Sequence, residues 1–214
     1  MNTPATASMS HPAAGTGAEP ASESAAESAQ APTSGSPPRK VTIATAWLDG
    51  CSGCHMSFLD MDERLIALAD CIDMVYSPLV DSKTLPDQVD VGILEGSISN
   101  EEDLHKAREF RQRCTLLVSL GDCAVNGNVP AMRNPFKLDA VIERAYRDNV
   151  EVNPQIPTEG VPRLLPVVQP IHGVVKVDIF VPGCPPRADA IHYVLSELIA
   201  GRTPDPSQVT RFGA

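Results

Sequence analysis

Five apolar runs, most of them separated by a helical pattern, constrain this chain more than any other feature. Lys40–Leu48 is β-branched and apolar and ends at Asp49-Gly50, which predicts a buried strand. Runs at 72–80, 89–95, 115–120 and 174–181 predict four more, the second stopping near Ser77-Pro78. Phe58, Met61, Leu65 and Leu68 keep helical spacing and predict one amphipathic helix over 54–69. Ser99 or Asn100 then caps an acidic turn, Glu101-Glu102-Asp103. Arg108, Arg111 and Arg113 near the far end of that helix complement its dipole. Further helices are expected over 137–147 and 187–200, the last closed by Gly201. Prolines 154, 157, 162, 166 and 170 make 149–170 a long irregular crossing. Continuous apolar strands alternating with helices belong to parallel sheets covered on both faces. The expected fold is α/β: a flavodoxin-like, doubly wound, mostly parallel sheet of four or five strands.

That fold occupies only part of the chain. Residues 1–38 contain no Val, Ile, Leu, Phe, Tyr or Trp, and 30 of the 38 are Ala, Ser, Pro, Thr or Gly. Such a segment buries too little apolar surface to offset its ordering entropy. A disordered Ala/Ser/Pro-rich tail is therefore expected at 1–38 and the folded domain at 39–214. The tail has no Lys or Arg and no apolar core, against a secretory or twin-arginine leader, and its three Glu disfavour a transit peptide. The formal charge of −10 does not suit a nucleic-acid binder, which needs clustered Lys and Arg. No stretch approaches the roughly 20 apolar residues of a membrane span. A cytoplasmic location is the expectation.

There are six cysteines, and without an export signal a disulfide framework is not expected. Cys51 and Cys54 lie just past the first strand. Cys123 follows the fourth, in Gly121-Asp122-Cys123, and Cys184 follows the fifth, in Val181-Pro182-Gly183-Cys184-Pro185-Pro186. In a parallel sheet the carboxyl ends share one edge, and ligands bind there. Cys71 and Cys114 precede strands, so they are expected at the opposite edge as buried small hydrophobes. Four thiolates suit an iron–sulfur cluster or a structural zinc. Zinc sites usually pair two short knuckles, whereas here one close pair joins two distant singles. That favours a cluster and keeps a zinc-stabilised interaction module as the alternative. A thioredoxin-like Cys51/Cys54 pair would leave Cys123 and Cys184 unexplained. Asp49, Glu95 and Asp122 are expected as solvated strand-end or interface groups, with coupling of proton movement or lowering of a cluster's potential as their other reading. His55 is expected as an exposed helix-start histidine, with a hydrogen bond to a cluster sulfur as its other reading. Residues 126–135 predict an ordered loop beside the site.

Trp47-Leu48-Asp49-Gly50-Cys51-Ser52-Gly53-Cys54, Leu94-Glu95-Gly96-Ser97, Gly121-Asp122-Cys123 and Val181–Pro186 together resemble the small subunit of [NiFe] hydrogenases. The resemblance implies one proximal [4Fe–4S] cluster held by Cys51, Cys54, Cys123 and Cys184. It also implies a large subunit carrying the nickel–iron centre; the 126–135 loop is expected at that interface, with an ordinary long βα loop as its other reading. Exported relatives carry further cysteines beyond the last ligand and a twin-arginine leader. Here no cysteine follows Cys184. The chain is thus similar to the cytoplasmic NAD-reducing type, in which a diaphorase pair with FMN and further clusters completes the enzyme. The implied chemistry is H2 + NAD+ = NADH + H+, with H2 cleaved in the partner, electrons carried singly here, and no catalytic residue in this chain. Another cytoplasmic hydrogenase, H2-sensing or with a different acceptor, is the nearest alternative. The related complex I subunit has two adjacent cysteines in its first motif. Ser52 and Gly53 separate them here, which disfavours a quinone-reducing role. An FMN in this subunit is compatible with the class but not readable, because Cys51 and Cys54 occupy the turn where flavodoxins hold phosphate.

Overall fold

The computed structural model describes residues 39–213. The tail expected at 1–38 lies outside the described residues. In chain order the first elements are β1 (Val41–Trp47), α1 (Gly53–Leu59), α2 (Glu63–Ala69), β2 (Ile72–Tyr76), β3 (Val89–Glu95), β4 (Ile98–Asn100) and α3 (Glu101–Arg113). There follow β5 (Cys114–Leu120), α4 (Asp122–Asn126), α5 (Leu138–Glu143), β6 (Leu164–Gln169), β7 (Ile179–Val181) and α6 (Ala188–Ile199).

Five strands pair in parallel in the order β2-β1-β3-β5-β7. Counting the parallel strands alone, this is 2-1-3-4-5, the doubly wound order of flavodoxin-like folds. Successive strand side chains point to opposite faces, so each buried strand feeds two cores. On one face Ile43, Val91, Ile93 and Val118 pack against Phe58, Met61 and Leu68 of the first helical region and Ile191 and Leu195 of α6. On the other, Ala44, Leu94 and Leu117 meet Ala107 and Phe110 of α3. Phe110 is fully buried, and burying such a ring stabilises by about 1.5–3 kcal/mol. Gly92 permits this approach: a Cβ there would lie 2.5 Å from Cys114 Sγ and 3.1 Å from Phe110 Cδ1. Asn100 caps α3 as expected, its side chain accepting from Asp103 N while the Asp103 carboxylate accepts from Asn100 N.

Several expectations are corrected. The helix expected over 54–69 is two, α1 and α2. Asp62 takes φ 51 between them, and Met61 turns into the core. Aspartates on either side of Met61 favour a turn over a continued helix. The crossing at 149–170 contains β6, which pairs antiparallel with β4 in a separate two-stranded sheet. The fifth parallel strand is only Ile179–Val181. Val174 and Val175 follow a 3-10 turn over Ile171–Gly173 and pack beside the α3 face without pairing. The helix at 137–147 runs as α5 and then a π-helical turn, Arg144–Asp148. Cys114 is buried as expected, but Cys71 is exposed, because it lies in the turn leading into the edge strand β2. Among the described residues no helix is long and apolar enough to cross a membrane.

Candidate metal centre

The first motif enters the site from the end of β1. Leu48 N–H donates to the Glu95 carbonyl at 2.8 Å. Asp49 and Ser97 exchange backbone hydrogen bonds at 3.1 and 2.7 Å. These bonds pin the turn before Cys51 to the end of β3. Ser52 takes φ 64, and α1 starts at Gly53, carrying Cys54 in its first turn.

The second and third motifs are stitched to each other. Gly121 N–H donates to the Val181 carbonyl and Asp122 N–H to the Gly183 carbonyl, each at 2.8 Å. Asp122 Oδ1 accepts the Gly183 N–H at 2.7 Å, and its Oδ2 accepts the Gly213 N–H at 2.9 Å. Asp122 is buried rather than solvated, and it supplies the acceptor that the buried Gly183 N–H needs. One carboxylate therefore ties together the loops of Cys123 and Cys184 and the C-terminal segment. Ser57 of α1 donates to the Pro186 carbonyl at 2.5 Å, tying the first motif to the third.

These ties bring Cys51, Cys54, Cys123 and Cys184 to one sheet edge, where they act on one another electrostatically. Cys54 and Cys123 are half-buried, whereas Cys51 and Cys184 are exposed. A Cβ on Gly121, which has φ 84, would stand 2.2 Å from Cys54 Sγ. Only glycine leaves room for that sulfur. Burial first, then the Glu95 carboxylate and the other three thiols, push the Cys54 thiol far above its ordinary range. Burial, Cys184 and Cys51 raise Cys123 likewise, opposed by hydrogen bonds from Asn128 and Val129.

Such thiols would release their protons to solvent only on binding a cationic group that offsets the converging negative charge. The donor set thus fits an iron–sulfur cluster. Among the described residues, no three His, Cys, Asp or Glu side chains are grouped to hold a single metal ion.

His55 and Glu95 differ most from expectation. His55 is buried, with Nδ1 2.7 Å from Glu95 Oε2 and Nε2 2.9 Å from Thr45 Oγ1. Its backbone N–H donates to the same Glu95 oxygen at 2.6 Å. Both ring nitrogens are engaged, so the ring is not a donor to a cluster sulfur. Thr45 Oγ1 lies 2.8 Å from Ser77 Oγ, which accepts from Leu79 N–H at 3.1 Å. Glu95, expected as a solvated end group, anchors this buried polar chain. The loop at 126–135 is ordered as expected. Arg133 donates to the Ser99 and Leu165 carbonyls, and Asn134 exchanges hydrogen bonds with Val168 at 2.8 and 3.0 Å.

Sheet order and strand pairing define a doubly wound α/β protein that carries four cysteines at the carboxyl ends of its parallel strands. The chain belongs to the family described as NADH ubiquinone oxidoreductase, 20 Kd subunit, which matches residues 51–198. It is 44% identical over 179 residues to the NAD-reducing hydrogenase HoxS subunit delta of Cupriavidus necator, covering 81% of this chain and 86% of that one. It is 41% identical over 168 residues to one chain of the F420-non-reducing hydrogenase of Methanothermobacter marburgensis, covering 76% of this chain but 54% of that one. A solved chain of an NAD+-reducing [NiFe]-hydrogenase in the H2-reduced state superposes with a TM-score of 0.77. Its identity is 40%, and the match covers 81% of this chain and 99% of that one.

Proposed function

We propose that this chain is the electron-transferring small subunit of a cytoplasmic NAD-reducing [NiFe] hydrogenase. Cys51, Cys54, Cys123 and Cys184 hold its single proximal [4Fe–4S] cluster. The observation that carries this reading is the convergence of those four thiols on one sheet edge, in a chain 44% identical to a HoxS delta subunit. When bound, the cluster supplies one-electron transfer between the nickel–iron centre of a large subunit and a diaphorase module. This chain's own task is positional. Asp122 and Ser57 hold the ligand loops in register, Gly121 makes room for the Cys54 sulfur, and burial keeps water from half of the thiols. Exposed Cys51 and Cys184 lie where a partner subunit closes the site. The shorter match to the F420-non-reducing hydrogenase makes a different acceptor the weaker reading.

Co-purification tests the proposal. The chain should carry with it a large subunit and two diaphorase subunits, and the complex should reduce NAD+ with H2. C184A should abolish that reduction while the diaphorase continues to oxidise NADH with an artificial acceptor. Undiminished H2-driven NAD+ reduction in C184A would refute the ligand assignment.

A further inference from the structure

One polar side chain outside the four cysteines is aimed at the sulfur of Cys184. Asn128 lies in the turn after α4, and its Nδ2 stands 3.4 Å from Cys184 Sγ. The turn is shaped to hold it there. Gly127 takes φ 89 and closes α4, its N–H donating to the Cys123 carbonyl at 2.9 Å. Asn128 takes φ 31, a conformation that Asn tolerates and most side chains avoid. Its own N–H donates to Asn126 Oδ1 at 2.8 Å. Two short-range bonds and two left-handed residues thus fix a carboxamide over the two ligand loops that Asp122 has already joined.

We propose that Asn128 is a positioning residue that hydrogen-bonds the sulfur of Cys184 and so raises the reduction potential of the cluster. The proposal rests on the ligand assignment above. An N–H donated to a ligand sulfur offsets its negative charge. The reduced cluster carries one more electron and gains more from that offset than the oxidised one. Removing the donor therefore moves the potential negative, and replacing it with a carboxylate oxygen moves it further.

The test is a redox titration of the purified hydrogenase complex, followed by electron paramagnetic resonance on the signal that C184A removes. N128G accepts the positive φ and deletes only the side chain. N128D keeps the shape and tolerates the same φ, but exchanges the NH2 donor for an acceptor. The midpoint should fall in N128G and fall further in N128D, with the spin count per chain unchanged. A wild-type midpoint in either variant overturns the proposal. Loss of the signal in N128G also overturns it, since Asn128 would then serve assembly and not tuning. Absence of any such signal from the wild-type complex overturns the ligand assignment instead, so the two failures are distinct.

Discussion

Asp122 shows how much of this site depends on a single side chain. Its two oxygens satisfy the N–H groups of Gly183 and Gly213, which have no other acceptor among the described residues. D122A leaves the buried Gly183 N–H unpaired, while the exposed Gly213 N–H turns to water, and should cost about 1–3 kcal/mol in urea unfolding. D122N should cost less, because its carbonyl still accepts from Gly183 while its NH2 faces the Gly213 N–H. Equal stability of D122A and wild type would show that the ligand loops are held by other means. The role is hidden in the sequence, where an aspartate between Gly121 and Cys123 reads as a solvated turn residue. Only the pairing of β5 with β7 brings Gly183 to it. The burial of His55 is hidden for the same reason. It comes from Glu95, 40 residues away, and not from its neighbours in α1. The cysteines themselves are legible, because a residue just past a parallel strand is placed by the strand alone.

At the scale of elements, the start of β1 is locked to the start of β3. Asp90 Oδ2 accepts from Thr42 N and Thr42 Oγ1, each at 2.8 Å, and Arg39 pairs with both carboxylate oxygens at 2.8 and 3.0 Å. The Arg39 bonds chiefly, with those from Thr42, hold the Asp90 carboxyl below its ordinary value of 3.8. Arg39 is exposed and screened by water, so the Thr42 bonds carry most of the stabilisation, about 1 kcal/mol. A carboxylate with a lowered folded-state value stabilises above its unfolded value, and that contribution disappears as pH falls through the folded value. Wild type should therefore exceed D90A in unfolding free energy at pH 7, and the gap should close as pH drops below 3.8. A gap unchanged into that acid range would contradict the assignment.

Strand and cap positions are readable at this scale because apolar runs and Asn100 act locally. Strand β6 is not. Pro166 interrupts its run, and it pairs only with the three-residue β4, where an edge position tolerates proline. Val174–Val177 mislead in the other direction, since their apolar character serves packing beside α3 and not sheet pairing.

For the whole molecule, the net charge of −10 decides little, while the order of strands decides where the carboxyl-end residues lie. A doubly wound sheet gathers residues from β1, β5 and β7 at one edge without needing them close in sequence. The central claim is that Cys51, Cys54, Cys123 and Cys184 use that edge to hold an iron–sulfur cluster. The most direct measurement is iron, acid-labile sulfide and zinc content of the anaerobically purified chain, both full-length and beginning at Arg39. Both forms should hold iron and sulfide in equal amounts, about four of each per chain. Zinc without sulfide would contradict the account and make the four cysteines a structural zinc site.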